Sequence, residues 1–398
     1  MDRVNVAIVG AGAAGLSLAH RLERGLPGRS VALVDTAEPA LRPLERTWCF
    51  WEPAAGEWDA AVDRRWHALS VVGPDGTRWR SPTDPLVYKM VRSPVFEALV
   101  RSGLDRTRLV VATVLDVVDG RGGAVLRLRG GDGREAGLAA DLVFDSRPPR
   151  GFPANAVTLR QHFRGWFVRT TEPRFDTSAA VLMDLRVPQP PRGVAFGYVL
   201  PFSPHTALVE YTEFTREVLD DAGYEAALRD YTGRVLGLGG LTVSAVEQGV
   251  IPMTSARLPV RTGRRVFRIG TAGGATRPST GYTFTGVQRQ TRQIAAALAA
   301  GRPPGPSRAH PRRHLFMDAV LLRGLDDGMI DGAEFFASLF SGNPLPRLLR
   351  FLDGTTTPLE DLSIGATTPV GAMLSALRSQ TLAGTRPRRR AGGLGRFT

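Results

Sequence analysis

The first 35 residues carry the pattern that most restricts how this chain can fold. A run that is apolar except for Asn5, Val4–Val9, leads directly into G-x-G-x-x-G, with glycines at positions 10, 12 and 15. Leucines at helical spacing follow, and a second apolar run, SVALVD, ends at Asp35. Continuous apolar runs are typical of strands in parallel sheets, because such strands are buried on both faces. The pattern therefore predicts a strand, a tight turn, a helix and a second parallel strand.

This βαβ unit has the features of a dinucleotide-binding site. Its glycines allow a tight turn and the close approach of a pyrophosphate to the helix N-terminus. The carboxylate of Asp35, 20 positions beyond Gly15, is placed to accept hydrogen bonds from a ribose. Because the chain has 45 glycines, their spacing alone is weak evidence, and the flanking strands and helix carry the prediction. We expect FAD or NAD to contact Gly10, Gly12, Ala14, Gly15 and Asp35.

The later segments favour a flavoprotein over a nicotinamide-dependent dehydrogenase. Antiparallel strands and a short helix interrupt the series of βα units, at 71–80, 93–101, 109–116, 125–129 and 138–149. A further strand, Val266–Ile269, enters a glycine-rich turn before a helix from about Thr285 to Ala300. Backbone N–H groups of such a turn can bind a flavin or its pyrophosphate, although the composition also fits a plain loop. The candidate cofactor contacts added by these segments are Arg92, Gly270, Gly273, Pro278, Thr280 and Gly281.

The rest of the chain divides into a β-rich part and a helical part. Residues 151–261 alternate apolar and polar positions, which predicts an antiparallel sheet, and apolar residues recur at helical spacing from Pro303 onward. We expect an α/β fold with a Rossmann-type FAD-binding domain, an inserted antiparallel β-sheet substrate domain and a helical C-terminal part. The predicted boundaries are 1–75, 93–150 and 262–302 for the FAD-binding domain, 76–92 and 151–261 for the substrate domain, 303–385 for the helical part, and 386–398 for a disordered arginine-rich tail.

The charge of the chain points away from nucleic acid. The formal net charge is +13, but Lys89 is the only lysine, so the positive charge is almost entirely arginine. No basic stripe interleaved with aromatic residues is present, and no nucleic-acid-binding motif is found. A weak, peripheral attraction to an anionic membrane surface fits the charge better.

Cysteine and histidine usage gives no sign of a disulfide or a metal site. Cys49 is the only cysteine, and His310 and His314 are separated by Pro311 without a further ligand cluster. A strand pattern begins at Val4, and no apolar run reaches the length of a transmembrane helix. We therefore expect a cytoplasmic protein at the inner face of the cell membrane; the sequence leaves its oligomeric state open.

Five motifs in this order and spacing resemble the FAD-dependent lycopene cyclases: GAGAAGLSLA, RTWCFW, YVLPFSPHTALVEYTEFT, GVIPMT and GTAGGATRPSTGY. The resemblance extends from near residue 4 to about 360. It implies a fold related to the aromatic hydroxylases and a lycopene-like acyclic carotenoid as substrate. It also implies that reduced FAD assists a net non-redox conversion of ψ-ends into β-ionone rings, with NAD(P)H as a candidate reductant. Two positions depart from related enzymes: Thr271 replaces an aspartate of the hydroxylases, and Arg277 replaces a histidine of some cyclases.

Glu210 is the candidate acid for such a cyclisation. In the strand TALVEYTEF, alternation places Leu208, Glu210, Thr212 and Phe214 on one face, and Ala207, Val209, Tyr211 and Glu213 on the other. Burial among apolar side chains would raise the pKa of Glu210 and keep it protonated until needed. Alternation alone favours an ordinary surface glutamate. The resemblance instead assigns the catalytic acid of the family to Glu210 rather than to Glu213.

A carbocation needs aromatic faces rather than nucleophiles around it. The candidate substrate contacts are Thr47, Trp48, Phe50, Trp51, Tyr198, Tyr211 and Tyr282. We expect RTWCFW to line the mouth between flavin and polyene, with Thr47 and Trp48 nearest the flavin ring. A buried aromatic plug between domains fits the composition equally well.

Two other classes of function compete with a cyclase. One is a redox enzyme on the same scaffold, either an FAD-dependent monooxygenase or an isoprenoid double-bond reductase. FDSRP, where hydroxylases carry an Asp-Gly pair, counts against oxygenation. The other is a non-catalytic flavin- or carotenoid-binding protein. The sequence does not decide whether one or both ends are cyclised, whether β or ε rings form, or which acyclic carotenoid is used.

Overall fold

The computed structural model describes residues 1–385 apart from 37, 43, 150, 155 and 306–308, so the predicted disordered tail lies outside the described residues. Within this part the strands are β1 (Asp2–Val9), β2 (Val31–Asp35), β3 (Thr47–Pro53), β4 (Val62–Trp66), β5 (Ala68–Val72), β6 (Arg78–Pro82), β7 (Leu86–Arg92), β8 (Arg108–Gly120), β9 (Gly123–Gly130), β10 (Glu135–Asp145), β11 (Thr158–Thr170), β12 (Ala180–Asp184), β13 (Val194–Ser203), β14 (Thr206–Thr215), β15 (Leu241–Thr254) and β16 (Val266–Arg268). The α-helices are α1 (Ala13–Gly25), α2 (Ser93–Arg101), α3 (Asp221–Asp230), α4 (Phe284–Ala299), α5 (Arg312–Asp326), α6 (Gly332–Ser341), α7 (Leu345–Leu352), α8 (Pro358–Gly365) and α9 (Val370–Thr385).

The first sheet is built around five parallel strands in the order β8–β2–β1–β10–β16. The antiparallel strand β9 joins the extended ends of β8 and β10. Helices α1, α2 and α4 cover one face of this sheet. Leu18 and Leu22 lie at helical spacing on α1, and both are buried in the core between the helices and the sheet. The β8–β9–β10 meander supplies Leu126 and Leu128 to the core on the other face. The Rossmann-type unit predicted from the first 35 residues is confirmed.

The second sheet has seven strands in the order β15–β11–β14–β13–β12–β5–β6. Its pairs are antiparallel except β12–β5, which is parallel. Helix α3 packs on one face of this sheet, and α5, α6 and α7 contribute to the core on the other face. Because successive residues of a strand point to opposite faces, strands β11 to β15 contribute side chains to both cores.

The predicted hairpin around Asp75 and Gly76 is present as β5–β6, but it belongs wholly to the second sheet. The predicted boundary between residues 75 and 76 therefore separates two strands that pair with each other. The reason is the parallel pairing of Leu69 and Ser70 in β5 with β12, which local sequence patterns do not reveal.

A third, three-stranded sheet, β3–β7–β4, carries the TWCFW segment. The fully buried Lys89 of β7 fixes the loop after β3, donating hydrogen bonds to Glu52 (3.0 Å), Asp59 (2.6 Å) and the carbonyl of Ala54 (3.0 Å). Side chains of β3 belong to the cores of both large sheets, so this small sheet lies between them. No helix in the described part of the chain is long and apolar enough to cross a membrane.

Candidate active site

The glycine turn after β1 forms the tight cradle that the sequence predicts. Gly10 has φ +89°, in the left-handed region that favours glycine. A Cβ at Gly15 would lie 1.9 Å from the carbonyl oxygen of Gly10, so only glycine fits there. Gly12 precedes α1 and caps it without a side chain, and no acidic residue occupies the first turn. The first N–H groups of the helix therefore point toward any anion held by the turn.

Asp35 lies directly beside this cradle at the end of β2. Its Oδ1 accepts a hydrogen bond from the backbone N–H of Ala11 (3.2 Å). Its Oδ2 is 3.1 Å from Arg42 and 3.7 Å from Arg101. The carboxyl group is thus held by these contacts next to the glycine turn, where a ribose would meet it.

The late glycine-rich turn packs against the start of α1. Gly270 has φ +65°, and a Cβ there would be 3.0 Å from the Cβ of Ala14. Gln290 of α4 holds the turn at both ends, accepting from Gly270 N (2.8 Å) and donating to Gly273 O (3.0 Å). The sequence pattern gave no indication of this glutamine. The structure therefore brings the early and late glycine motifs together.

The loop RPSTGY connects this cradle with the second sheet. The backbone N–H of Arg277 donates to the carbonyl of Tyr282 (2.9 Å), which closes a turn containing Pro278 and Thr280. Gly281 has φ +70°, and a Cβ there would lie 2.0 Å from Oε1 of Gln161 on β11. The loop is therefore pressed against the same sheet that carries Glu210.

Arg277 is fully buried and anchors this loop to α5. Its guanidinium contacts Asp318 at 3.1 to 3.3 Å, and Ser279 donates to the same carboxylate at 2.7 Å. The side chain of Arg277 is also 3.3 Å from Nδ1 of His314. The position that departs from some cyclases is therefore occupied by a buried structural ion pair.

Glu210 is buried on the face of β14 that the alternation predicts. Its partners across the sheet are Gly165 on β11 and Tyr198 on β13. A Cβ at Gly165 would lie 3.6 Å from Oε2 of Glu210, so the missing side chain leaves room for the carboxyl group. Thr212 donates to Oε1 at 2.6 Å.

The environment of Glu210 favours its protonated form. Burial raises the pKa of this carboxyl to about 8, the hydrogen bond from Thr212 lowers it, and the charge of Glu247 raises it further. An acid with this pKa keeps its proton at neutral pH. That is the state required of a proton donor.

Strand β3 divides the TWCFW motif between two faces. Thr47, Cys49 and Trp51 face the second sheet, as contacts of Thr47 with Glu247 and of Trp51 with Tyr282 show. The two remaining aromatic residues, Trp48 and Phe50, turn the other way and stack on Phe284 of α4, with ring centroids 5.7 and 4.6 Å apart. The expectation that the whole motif lines one mouth is corrected here, because a strand alternates its side chains. Trp48 and Phe50 therefore pack in the core between the first sheet and its helices, and the contact of Thr47 and Trp48 with the flavin ring stays a prediction.

An aromatic layer faces the side of the sheet that carries Glu210. The hydroxyls of Tyr198 and Tyr88 are 2.8 Å apart. Trp51 lies edge-on to Tyr282, with ring centroids 4.9 Å apart, and is stacked with Tyr88 at 6.3 Å. Tyr88 was not among the predicted contacts, although its pairing with Trp51 in the β3–β7 ladder places it there. Burial raises the pKa of the neighbouring Cys49 thiol to about 12, so it stays protonated.

Tyr211 is not part of this layer. It points to the opposite face of β14, where its hydroxyl donates to Glu213 at 2.9 Å in the core beneath α3. Its predicted role as a substrate contact is therefore corrected. The same alternation buries Glu213 beside His162, 3.5 Å away, on the far side of the sheet from Glu210.

A second carboxyl group shares the face of Glu210. Glu247 of β15 pairs with Gly165 in the ladder, and its two oxygens accept from N and Oγ1 of Thr47, both at 2.6 Å. Arg92, a predicted cofactor contact, is the ladder partner of Thr47 and lies over the ring of Phe167 at 4.8 Å. The sequence indicated neither the position nor the partner of Glu247.

Comparison with known protein families identifies the family of this chain. The family model described as lycopene cyclase protein matches residues 5–378. The chain belongs to the lycopene cyclase family. The resemblance predicted from five motifs is confirmed. No curated protein sequence matches the chain.

Solved structures show that this family member shares its fold with flavoproteins. A geranylgeranyl bacteriochlorophyll reductase-like protein from Thermoplasma acidophilum has a TM-score of 0.69 at 11% identity, over 96% of this chain and 100% of that one. A flavoprotein/dehydrogenase from Cytophaga hutchinsonii has a TM-score of 0.64 at 13% identity, over 96% and 100%. The flavin-dependent monooxygenase PieE, solved with FAD and substrate, has a TM-score of 0.61 at 17% identity, over 95% and 72%. These likenesses establish the fold alone.

The residues of this lycopene cyclase family member fit an FAD molecule. Two glycine turns meet at the start of α1, where side chains are excluded by contacts of 1.9 and 3.0 Å. Asp35 is held beside them, and the RPSTGY loop leads from them to the sheet of Glu210. Gly10, Gly12, Ala14, Gly15, Gly270 and Gly273 thus form one cradle, while Pro278, Thr280 and Gly281 lie in the loop between it and the acid.

Proposed function

We propose that this protein is an FAD-dependent carotenoid cyclase that converts the acyclic ψ-ends of lycopene or a related carotenoid into β-ionone rings without net redox change. The observation that carries the proposal is Glu210, a buried acid with a pKa of about 8 beside an aromatic layer. Membership of the lycopene cyclase family supports it. An acid held protonated on an apolar face fits proton transfer better than pigment binding alone.

Glu210 begins the reaction in this proposal by transferring its proton to the terminal carbon–carbon double bond. The resulting tertiary cation is attacked by the nearby internal double bond, which forms the ring carbon–carbon bond and moves the positive charge to a ring carbon. The Glu210 carboxylate left by the first step then accepts one proton from the adjacent carbon, which forms the ring double bond and restores the acid. One proton enters and one leaves, so atoms and electrons balance without an oxidant.

The aromatic layer and the surrounding core would protect the cation from water. Each aromatic face contributes about 0.5–2 kcal/mol to a cation above it. The described residues suited to this are Trp51, Tyr88, Tyr198 and Tyr282, and burial keeps the three tyrosine hydroxyls protonated. Neutral hydroxyls and rings are poor nucleophiles, so they stabilise positive charge without trapping it.

Reduced, anionic FAD, when bound in the glycine cradle, supplies a full negative charge near the carotenoid cation. The chain places neutral hydroxyls beside the cradle: Thr271 is 2.9 Å from Thr276, which is 2.9 Å from Thr283. Thr271 is the position where hydroxylases usually have aspartate. A neutral side chain there avoids repulsion of an anionic flavin. We propose NAD(P)H as the reductant, which maintains the flavin and is not consumed with product.

The test is expression of the full chain in a bacterial host that accumulates lycopene, followed by chromatography of the pigments. Monocyclic or bicyclic carotene is the expected product. Unchanged pigment from a folded, FAD-loaded protein would contradict the proposal. An oxygenated or hydrogenated product would instead identify a monooxygenase or an isoprenoid double-bond reductase.

A further inference from the structure

The row of residues across the second sheet places two carboxyl groups on either side of a glycine. Pairing in the ladders gives the order Glu247, Gly165, Glu210 and Tyr198, and paired residues of neighbouring strands point to the same face. Gly165 has no side chain to separate its neighbours, and Glu210 Oε2 extends to within 3.6 Å of where a Cβ would be. The two carboxyl groups therefore face each other over Gly165.

The hydrogen bonds around the two groups are not alike. Both oxygens of Glu247 receive donors from Thr47, one of them a backbone N–H, which can only donate. Two such bonds suit an ionised carboxylate. Glu210 has one donor, from Thr212, and its other oxygen lies over Gly165 beside Leu208. The geometry thus places the negative charge on Glu247 and the proton on Glu210.

The nearby charges support the same division. Burial raises the pKa of Glu247 above its ordinary value, and the bonds from Thr47 and the positive charges of Arg92 and Arg46 limit that rise. Within the described part of the chain, no positive charge lowers the pKa of Glu210. In the described residues, the other titratable groups around Glu210 are the Cys49 thiol and the Tyr88 and Tyr198 hydroxyls, with Tyr224 beyond the sheet, and burial raises all of their pKa values.

We propose that Glu247 is a positioning residue for the reaction: its carboxylate, held by Thr47, adds to the effect of burial in keeping Glu210 protonated and able to donate. This inference rests on the proposed function, because it gives a role to the state of Glu210. It also explains why TWCFW begins with threonine. Thr47 fixes the charge from strand β3, and the same strand presents Trp51 to the aromatic layer.

The substitution Glu247→Gln tests this directly. It removes the charge and retains an oxygen that can accept from Thr47. The separation of β15 and β14 is about 10 Å, two strand spacings, which at an effective dielectric constant of about 20 corresponds to about one pH unit. We expect the deprotonation midpoint of Glu210 to fall by that amount. The pH at which the cyclisation rate falls on the alkaline side should move down by the same amount. Above the wild-type midpoint, the rate of Glu247→Gln should therefore be about tenfold below that of the wild type.

The measurement is an infrared pH titration of the FAD-loaded protein. The carbonyl band of protonated Glu210 is identified by its absence in Glu210→Gln, and its midpoint is compared between the wild type and Glu247→Gln. Glu213→Gln is the matched control, since Glu213 lies on the same strand and is equally buried but faces α3. We expect it to leave the midpoint of Glu210 unchanged. Glu247→Asp keeps the charge and should restore most of the wild-type midpoint.

Each outcome supports or overturns the inference. An unchanged midpoint in Glu247→Gln, or a rate lowered equally at every pH, would show a merely structural role and overturn it. If Glu247→Gln does not fold, Glu247→Ala, which also removes the charge, is titrated instead; a lower midpoint of Glu210 supports the inference and an unchanged one overturns it. The two proposals fail separately. A wild type that makes no cyclic carotene defeats the proposed function, whereas the titration still measures the coupling.

Discussion

At the residue scale, the choice between Glu210 and Glu213 is decided by what each carboxyl faces. Both are buried, and burial raises the pKa of both. Glu213 is engaged by Tyr211 and lies near His162 beneath α3. Glu210 opens over Gly165 toward the aromatic layer. Burial makes either group a weak acid, but only Glu210 faces the side where the RPSTGY loop and β3 contact the second sheet.

Glu210→Gln is expected to abolish cyclisation while leaving FAD bound. Glutamine has the same shape but cannot donate an acidic proton, and loss of a general acid typically costs at least about 100-fold in rate. Cyclic carotene per bound flavin is measured in vitro, with Glu213→Gln as the control that should stay active. Retained activity in Glu210→Gln would remove this residue from its proposed role.

The pH dependence of the wild-type rate follows from the same group. The pKa of Glu210 in the folded protein is raised to about 8, so the protonated, active form predominates below that pH and is lost above it. For stability the window differs, because the carboxyl ionises near its ordinary value of 4.5 in the unfolded chain but only near 8 in the folded protein. We expect the rate to fall as pH rises through about 8, and the contribution of Glu210 to the free energy of unfolding to fall between about pH 4.5 and 8 and to level off above. Rate and chemical denaturation profiles measured from about pH 4 to 10, compared with Glu210→Gln, check this; equal profiles would contradict it.

Arg277 is expected to contribute to the stability of the protein rather than to the proposed reaction. Its guanidinium and the carboxylate of Asp318 are both 2% exposed, and removing one partner leaves the other charge buried. Arg277→Met is expected to lower the free energy of unfolding by about 3–5 kcal/mol. Urea denaturation measures it. Arg80→Met removes the exposed pair with Asp176 and should cost at most about 1 kcal/mol. A similar small loss in Arg277→Met would show that the loop does not depend on this ion pair.

At the element scale, β3 is the strand that joins cofactor chemistry to substrate chemistry. Its alternation gives Thr47 and Trp51 to the second sheet, and Trp48 and Phe50 to the helices of the first. A strand in a sheet between two cores must be apolar on both faces. That requirement is the physical reason why two tryptophans and a phenylalanine occur within four residues.

The two tryptophans of β3 should therefore respond differently to substitution. Trp51→Ala removes an aromatic face from the layer near Glu210 and should lower the rate per bound flavin by roughly two- to thirty-fold. Trp51→Phe should retain most of the rate. Trp48→Ala removes packing against Phe96 and Phe284 and should lower the free energy of unfolding by about 2–3 kcal/mol, since Trp48 is only partly buried. Rate and denaturation measured on the same samples distinguish the two; an unchanged rate in Trp51→Ala would contradict the role of β3.

A feature of this fold could be predicted from the sequence when the residues that determine it lie within one short segment. The strand, turn and helix around Gly10 and Gly15 are encoded within one short segment, so the fold class was accessible. Alternation in β14 was also readable, and it already separated Tyr211 from Glu210. The pairing of Glu247 with Gly165 was not, because register between distant strands is set by the whole sheet rather than by either strand alone. The same holds for β5, whose partner is β12.

At the scale of the whole molecule, an acyclic carotenoid has to be taken from a lipid phase. The C-terminal helices expose apolar side chains at helical spacing: Leu359 and Leu362 of α8 are 80% and 73% exposed, and Leu374 of α9 is half-exposed. Singly exposed leucines are ordinary, but two on one short helix of a chain with net charge +13 suit an anionic bilayer. We propose that this end of the molecule contacts the membrane surface.

Replacement of both leucines by glutamate tests the contact with the bilayer. Leu359→Glu with Leu362→Glu removes the apolar side chains and adds two negative charges, so binding to vesicles of phosphatidylglycerol and phosphatidylcholine should fall several-fold in a sedimentation assay. Val111→Glu, an exposed apolar position on β8, is the control for altered charge and solubility. The rate with detergent-solubilised carotenoid should stay near that of the wild type in both variants, because α8 lies outside the proposed active site. Equal loss of vesicle binding in the control would attribute the attraction to net charge rather than to α8.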